Sequence, residues 1–175
     1  MSSSTKHRYQ ELVAQLPQRN VITELINILT SELHWLAITI EQQFLNTALS
    51  DWYLATDVIT SGRLSDLQDD VLHFPALLFQ LLAVALQLSP QGWKRPDMLL
   101  VDGPDGQENL SIRYSRLGVG VMDSIGRNRP TITSIQHDFL LGLWLKNCSQ
   151  GTEAWRALNS AIRWAGWQIV LLVQC

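Results

Sequence analysis

The chain has 175 residues, enough for one domain, and 46% of them are hydrophobic, which excludes wholesale disorder. Its net charge of −3 excludes a positive excess that would drive it onto nucleic acid or an anionic membrane. Two cysteines, Cys148 and Cys175, exclude both a disulfide framework and a structural zinc site built on thiolates, and we expect a reducing compartment.

The first third of the chain predicts helices with few breaks. Residues 1–5 indicate a loose tail, and 9–16 a short helical turn that Pro17 ends. Residues 19–54 carry apolar side chains at helical spacing, which predicts two helices or one long bent helix. The β-branched run 38–40 is the expected break, because branched side chains lose rotamer freedom in a helix.

The segment 73–90 is too apolar for a surface helix. It carries three polar residues at a spacing of seven: His73, Gln80 and Gln87. Residues seven apart lie almost on one line of a helix, so they form a single polar stripe. Lipid would penalise this stripe, so we expect a buried core helix, with a membrane anchor over 74–88 as the alternative.

Local signals predict the boundaries around this helix. Ser65 and Gln68 fit a capping box, and Pro75 can occupy the first helical position. Residues 91–109 contain three glycines and two prolines, so we expect a loop there. A small β-hairpin around 102–106 is the alternative.

Helices are also predicted over 110–125 and 133–147, the second opened by a capping box from Thr133 to Gln136. Gly151 is expected to end that helix and to precede a last one. Together these signals predict an all-α fold, a helical array of six to seven helices that includes helical hairpins.

Candidate chemical motifs are weak. Residues 118–123 start like a dinucleotide-binding loop but lack the third glycine and a preceding strand. Residues 102–108 resemble a calcium loop in composition only. The histidines at 34, 73 and 137 have no partner ligand at the spacing that a metal site requires. We therefore expect no enzyme, no cofactor and no metal.

Four of the seven tryptophans lie in the last two predicted helices. Core packing, with each indole N–H directed to a partner, is the favoured interpretation, and a small-molecule pocket between these helices is the alternative. The residues that we expect to form either the core or an effector pocket are Trp144, Trp155, Phe139 and Gln80.

Several segments, taken in order and spacing, resemble one family. They are FPALLFQLLAVALQ (74–87), the stretch 113–127, Pro130 with Thr131, WLKN (144–147), GTEAW (151–155) and AIR (161–163), preceded by 33–35 and 44–52. They are similar to the fungal-specific transcription factor domain, the α-helical middle homology region of zinc binuclear cluster regulators. The resemblance covers residues 16–163.

This resemblance implies a nuclear regulatory domain in transcription, acting through protein contacts or effector sensing, and otherwise a cytoplasmic location. In that family a separate module of six cysteines binds zinc and DNA; no such cluster is present here, so no residue of this chain is expected to bind DNA. Residues 164–175 diverge from the family pattern. We expect a single partial domain, truncated, which exposes apolar surface and self-associates. A free-standing helical adaptor that pairs with a full-length regulator is the alternative.

Overall fold

The computed structural model describes residues 2–32, 40–89, 106–126 and 130–173. These residues form eight α-helices and a short 3₁₀ turn, and no strand occurs among them, so the predicted all-α helical array is confirmed. The helices are α1 (Ser3–Val13), α2 (Arg19–Glu32), α3 (Gln42–Leu54), α4 (Thr56–Thr60), α5 (Asp69–Leu88), α6 (Gly106–Ile125), α7 (Ile132–Asn147) and α8 (Gly151–Val173), with the turn Leu64–Asp66 before α5.

Helix α5 is the centre of the fold. Every residue from 72 to 86 is buried, because α2, α6 and α7 pack around it. A helix that is apolar on all sides must be covered in this way. Length and composition alone would let α5 cross a membrane, but 83% of its most apolar window lies inside the protein. The predicted core helix is confirmed.

The start of α5 differs from the prediction. Gln68 is the N-cap, and Ser65 bonds to Asp66 rather than capping the helix. Pro75 lies inside the helix, in its second turn, and not at the first position. A proline there removes one backbone hydrogen bond, so the burial of its apolar neighbours must offset that loss. Asp69 and Asp70 in the first turn suit the positive end of the helix dipole.

The N-terminal segment is helical, so the predicted tail is wrong for residues 2–5. Ser2 caps α1 by accepting from the backbone N–H of Thr5 at 3.1 Å. Tyr9 is fully buried and donates its hydroxyl to the carbonyl of Leu72 at 3.1 Å, which ties α1 to α5. The residues 38 and 39 of the predicted break lie outside the described part of the chain, but α2 and α3 are separate helices.

Helix α6 begins at Gly106, four residues before the predicted start. The loop prediction is therefore wrong for 106–109, which are helical. The β-hairpin alternative is wrong for the strand that would follow 106. Residues 91–105 lie outside the described residues. Gln107 donates its side-chain amide to the carbonyl of Leu86 at 2.6 Å. This bond fixes the first turn of α6 on the end of α5.

Helices α7 and α8 form the predicted hairpin. The capping box that opens α7 joins Thr131 and Ser134, two residues before the predicted pair, so that prediction is wrong in its position. Ser149 has φ 59° in the connecting turn, and α8 begins at Gly151. The backbone of α8 continues as one helix past residue 164, to Val173.

Candidate functional site

The polar stripe of α5 faces the seam between α6 and α7. Gln80 is fully buried, and its Oε1 accepts from the Ser115 hydroxyl of α6 at 3.3 Å. Gln87, one end of the stripe, donates to the Cys148 sulfur at 3.2 Å and accepts from Asn147 at 3.3 Å. His73, at the other end, lies 3.4 Å from the hydroxyl of Thr131. The stripe therefore joins three helices, and only its half-buried end at Gln87 reaches the surface.

A groove of about 900 Å³ lies between α6 and α7. Both helices pack extensively on α5 but touch each other little, so they diverge above it and leave this space. The end of α5 forms the floor, and the start of α8 closes one end. The residues that line it are Leu86, Gln87, Gln107, Glu108, Ser111, Ile112, Ser115, Arg116, Val119, Leu141, Trp144, Leu145, Asn147, Cys148, Gln150 and Glu153.

Trp144 forms part of the wall of this groove and is held by a chain of hydrogen bonds. Its indole Nε1 donates to the Ser111 hydroxyl at 2.9 Å, and that hydroxyl donates to the carbonyl of Ala83 at 2.8 Å. The chain runs from α7 through α6 to α5. A buried indole with a satisfied N–H is both a rigid apolar surface and a fixed spacer between helices.

The four residues predicted for the core or an effector pocket separate into different places. Trp144 is buried and lines the groove, and Gln80 is buried beneath it, bonded to the lining residue Ser115. Phe139 is half-buried against the core. Trp155 is 63% exposed on α8, so its predicted burial is wrong.

The sequence interpretation missed a buried polar chain between α7 and α8. His137 and Asp138 are both buried, with Nδ1 of the histidine 3.1 Å from Oδ1 of the carboxylate. Ser160 of α8 donates to Oδ2 of Asp138 at 2.7 Å. In a catalytic triad the serine meets the histidine, whereas here it meets the carboxylate. His137 is fully buried, and the bond from Ser160 to Asp138 links α8 to α7. The sequence signal that could have predicted this polar chain is the adjacent pair His137 and Asp138 within an otherwise apolar helix.

Buried His73 makes the stability of the fold depend on pH. Its Nδ1 donates to the carbonyl of Asp69 at 2.6 Å, and its Nε2 is buried. Burial therefore lowers the pKa of His73 from its ordinary 6.5, and the carboxylates of Asp69 and Asp70 offset this only in part.

Because the unfolded chain takes up this proton at a higher pH than the folded chain, we expect the free energy of unfolding to fall as pH drops below 6.5 and to recover above it. Urea unfolding at a series of pH values, on the wild type and on His73→Asn, checks this. The Asn amide can keep the bond to Asp69, so the variant should show the smaller pH slope. Equal slopes would contradict the assignment.

The surroundings of the Cys148 thiol at the groove do not activate it. Burial raises the pKa of the Cys148 thiol and Glu108 adds to this, with the bond from Gln87 acting in the opposite direction, so the thiol form predominates at neutral pH. Within the described ranges, no three side chains of His, Cys, Asp or Glu lie together as metal ligands would. Binding, by an apolar wall with hydroxyl and amide groups, is the chemistry that the groove supports.

Comparison of the chain with protein-family models, with curated proteins and with solved structures gave no match.

Proposed function

We propose that this chain is a helical regulatory module that acts in transcription regulation through contacts with other proteins, and that it is not an enzyme. The order and spacing of the sequence segments described above support the transcriptional part of this proposal. The all-α helical array is compatible with it. The part that concerns protein contacts is carried by one observation, the outer surface of α8.

Two large apolar side chains stand in solvent on the same side of α8. Trp155 is 63% exposed and Ile162 is 65% exposed. They are seven residues apart, which places them nearly in line on one face. Helix α8 packs mainly on α7 through a neighbouring face, where Ala154 and Ala161 are buried. Exposed aromatic and aliphatic residues grouped on a helix mark protein-binding surfaces, and tryptophan is enriched among the residues that dominate binding energy.

The charges beside this face indicate the chemistry of the partner. Arg156 and Arg163 are exposed next to Trp155 and Ile162, and we call these four residues the α8 surface. Neither arginine forms an ion pair with another residue that the structure describes. The Arg163 guanidinium lies 5.6 Å from the centre of the Trp164 ring. The partner that fits is a protein segment with apolar side chains flanked by carboxylates.

A reporter experiment tests the regulatory role. The chain is fused to a heterologous DNA-binding domain, and transcription of a reporter gene in a fungal host is compared with that of the DNA-binding domain alone. We expect the fusion to change transcription and the double variant Trp155→Ala, Ile162→Ala to abolish most of that change, because exposed hot-spot residues contribute about 2 kcal/mol or more each to binding. Leu54→Ala is the matched control, since Leu54 is an exposed apolar residue of α3.

Three results would contradict the proposal. The fusion could leave transcription unchanged, the double variant could act like the wild type, or Leu54→Ala could be as damaging as the double variant. A salt-dependent, sequence-selective shift of duplex DNA by the chain alone would also contradict it, because the proposed contacts are with protein. Co-purification with a DNA-binding regulator through the α8 surface would identify the chain as a free-standing adaptor.

A further inference from the structure

We infer that the groove between α6 and α7 is a binding site for an uncharged, mainly apolar small molecule that carries hydroxyl or amide groups. The volume of about 900 Å³ falls in the range of roughly 300–1,000 Å³ that small-molecule sites occupy. The walls of the site are α6 and α7, and its floor is the end of α5. This inference does not depend on the proposed protein contacts, since Trp155 and Ile162 do not line the groove.

The walls supply a large apolar surface from opposite sides. Ile112 and Val119 project from α6, and Leu141, Trp144 and Leu145 project from α7. The two residues of α6 are seven positions apart, and Trp144 and Leu145 follow Leu141 by three and four positions. Each group therefore lies on one face of its helix. Apolar walls on both sides of a cleft can bury most of a flat or elongated ligand, which is the main favourable term in binding.

The floor supplies uncharged hydrogen-bonding groups. Ser111 and Ser115 of α6 are buried, and Gln87 lies near the end of α5, where its side chain bonds to Asn147 and Cys148 at the end of α7. The hydroxyl of Ser111 donates to Ala83 and already accepts from the Trp144 indole, and that of Ser115 donates to Gln80, so each oxygen keeps at least one lone pair for a further donor. Such a floor accepts from a ligand hydroxyl or amide N–H and fixes its orientation.

The charges of the groove argue against an anionic ligand. Within the described part of the chain, three charged residues line it, all of them exposed: Glu108, Arg116 and Glu153. Two carboxylates and one guanidinium give the rim a net charge of −1, which repels an anion. Of the residues that the structure describes, none on the buried floor is a cation that could pair with a phosphate or a carboxylate, and an unpaired charge there would be costly. A neutral ligand carries neither penalty.

Binding of a neutral probe tests the site. Prodan, a neutral naphthalene dye, is titrated into the full chain and followed by its fluorescence, and anilinonaphthalene sulfonate serves as the anionic dye of the same ring system. We expect saturable binding of prodan, tighter by about tenfold than binding of the sulfonate, together with a rise in the melting temperature.

A matched pair of variants on α7 locates the probe. Leu145 lines the groove and Leu143, two residues away, does not, although both are half-buried. We expect Leu145→Trp to fill the groove and weaken prodan binding about tenfold or more, and Leu143→Trp to leave it unchanged. Ile112→Trp, on the opposite wall, provides the same test from α6 should Leu145→Trp fail to fold by circular dichroism.

The inference is overturned if prodan does not bind saturably or if the sulfonate binds as tightly. It is also overturned if both groove-filling variants bind prodan like the wild type. If the α8 variants lose the reporter effect but bind prodan like the wild type, the small-molecule site is intact in them. The two proposals can therefore fail separately.

Discussion

Gly118→Ala is expected to destabilise the protein by up to about 2 kcal/mol, although alanine is the better helix former. Gly118 lies within α6 where that helix meets both α5 and α7. A Cβ at this position would stand 3.0 Å from the backbone carbonyl oxygen of Ala76. It would also stand 3.4 Å from His137 Nε2 and from the Cβ of Phe79.

Two effects of opposite sign decide this outcome. Replacing a glycine inside a helix by alanine contributes about 1 kcal/mol of stability. Forcing an extra carbon into a packed core costs about 1–3 kcal/mol. The second effect wins here because the nearest atom belongs to the backbone of α5, which cannot rotate away as the end of a side chain can. Helix α6 would have to move off α5.

Gly120 is the matched control, two residues further along α6. A Cβ there would meet the two δ carbons of Leu12 at 3.5 Å, which is ordinary van der Waals contact. Gly120→Ala should therefore stabilise the protein by about 0.5–1 kcal/mol. Urea unfolding followed by far-ultraviolet circular dichroism measures both variants. Equal midpoints for the two would contradict the close approach of α5 and α6.

The core helix could be predicted because its pattern is strong and local. Three polar residues on one line of an otherwise apolar helix have one consistent solution, a buried helix whose polar stripe lies along a seam. The structure has this arrangement, with Gln80 bonded to α6 and Gln87 to α7. Which helices would lie on each side could not be predicted, because that depends on contacts distant in sequence.

Helix boundaries were predicted less well, for a reason visible at α7. The sequence favoured Thr133 with Gln136 because glutamine is the usual partner in a capping box. The structure uses Thr131 with Ser134, and Thr133 instead bonds to the carboxylate of Asp70 on α5. A contact between helices thus decides which of two nearby threonines caps α7. Such contacts leave no local trace in the sequence.

The groove itself could not be predicted, although Trp144 was singled out. Its volume arises because α6 and α7 diverge above α5, and divergence is a property of three helices together. Trp155 was predicted to lie in the core or the pocket but is exposed, and this also depends on how the helices pack together. The hairpin packs closely through Gly142 of α7 and Ala154, Leu158 and Ala161 of α8, whereas the larger Trp155 and Ile162 lie on a neighbouring face of α8 that stays exposed. A prediction based on size places the large ones inside.

The two tryptophans should therefore differ sharply when replaced. We expect Trp144→Ala to cost about 3–5 kcal/mol of stability, because it empties a buried indole site and removes the donor to Ser111. Natural domains have about 5–15 kcal/mol in total, so this variant should be close to unfolding. Trp155→Ala should change stability by no more than about 0.5 kcal/mol, because the side chain is 63% exposed.

Urea unfolding of the two single variants measures the difference in stability. The variant Trp144→Phe separates the contribution of the buried ring from that of the N–H donor. Phenylalanine keeps most of the buried ring but not the N–H, so it should recover all but about 1–2 kcal/mol of the loss. If Trp155→Ala proved as destabilising as Trp144→Ala, α8 would be rotated from the orientation described, and its exposed face would not be free to bind a partner. If Trp155→Ala keeps full stability but loses the reporter effect, the role of this residue is binding.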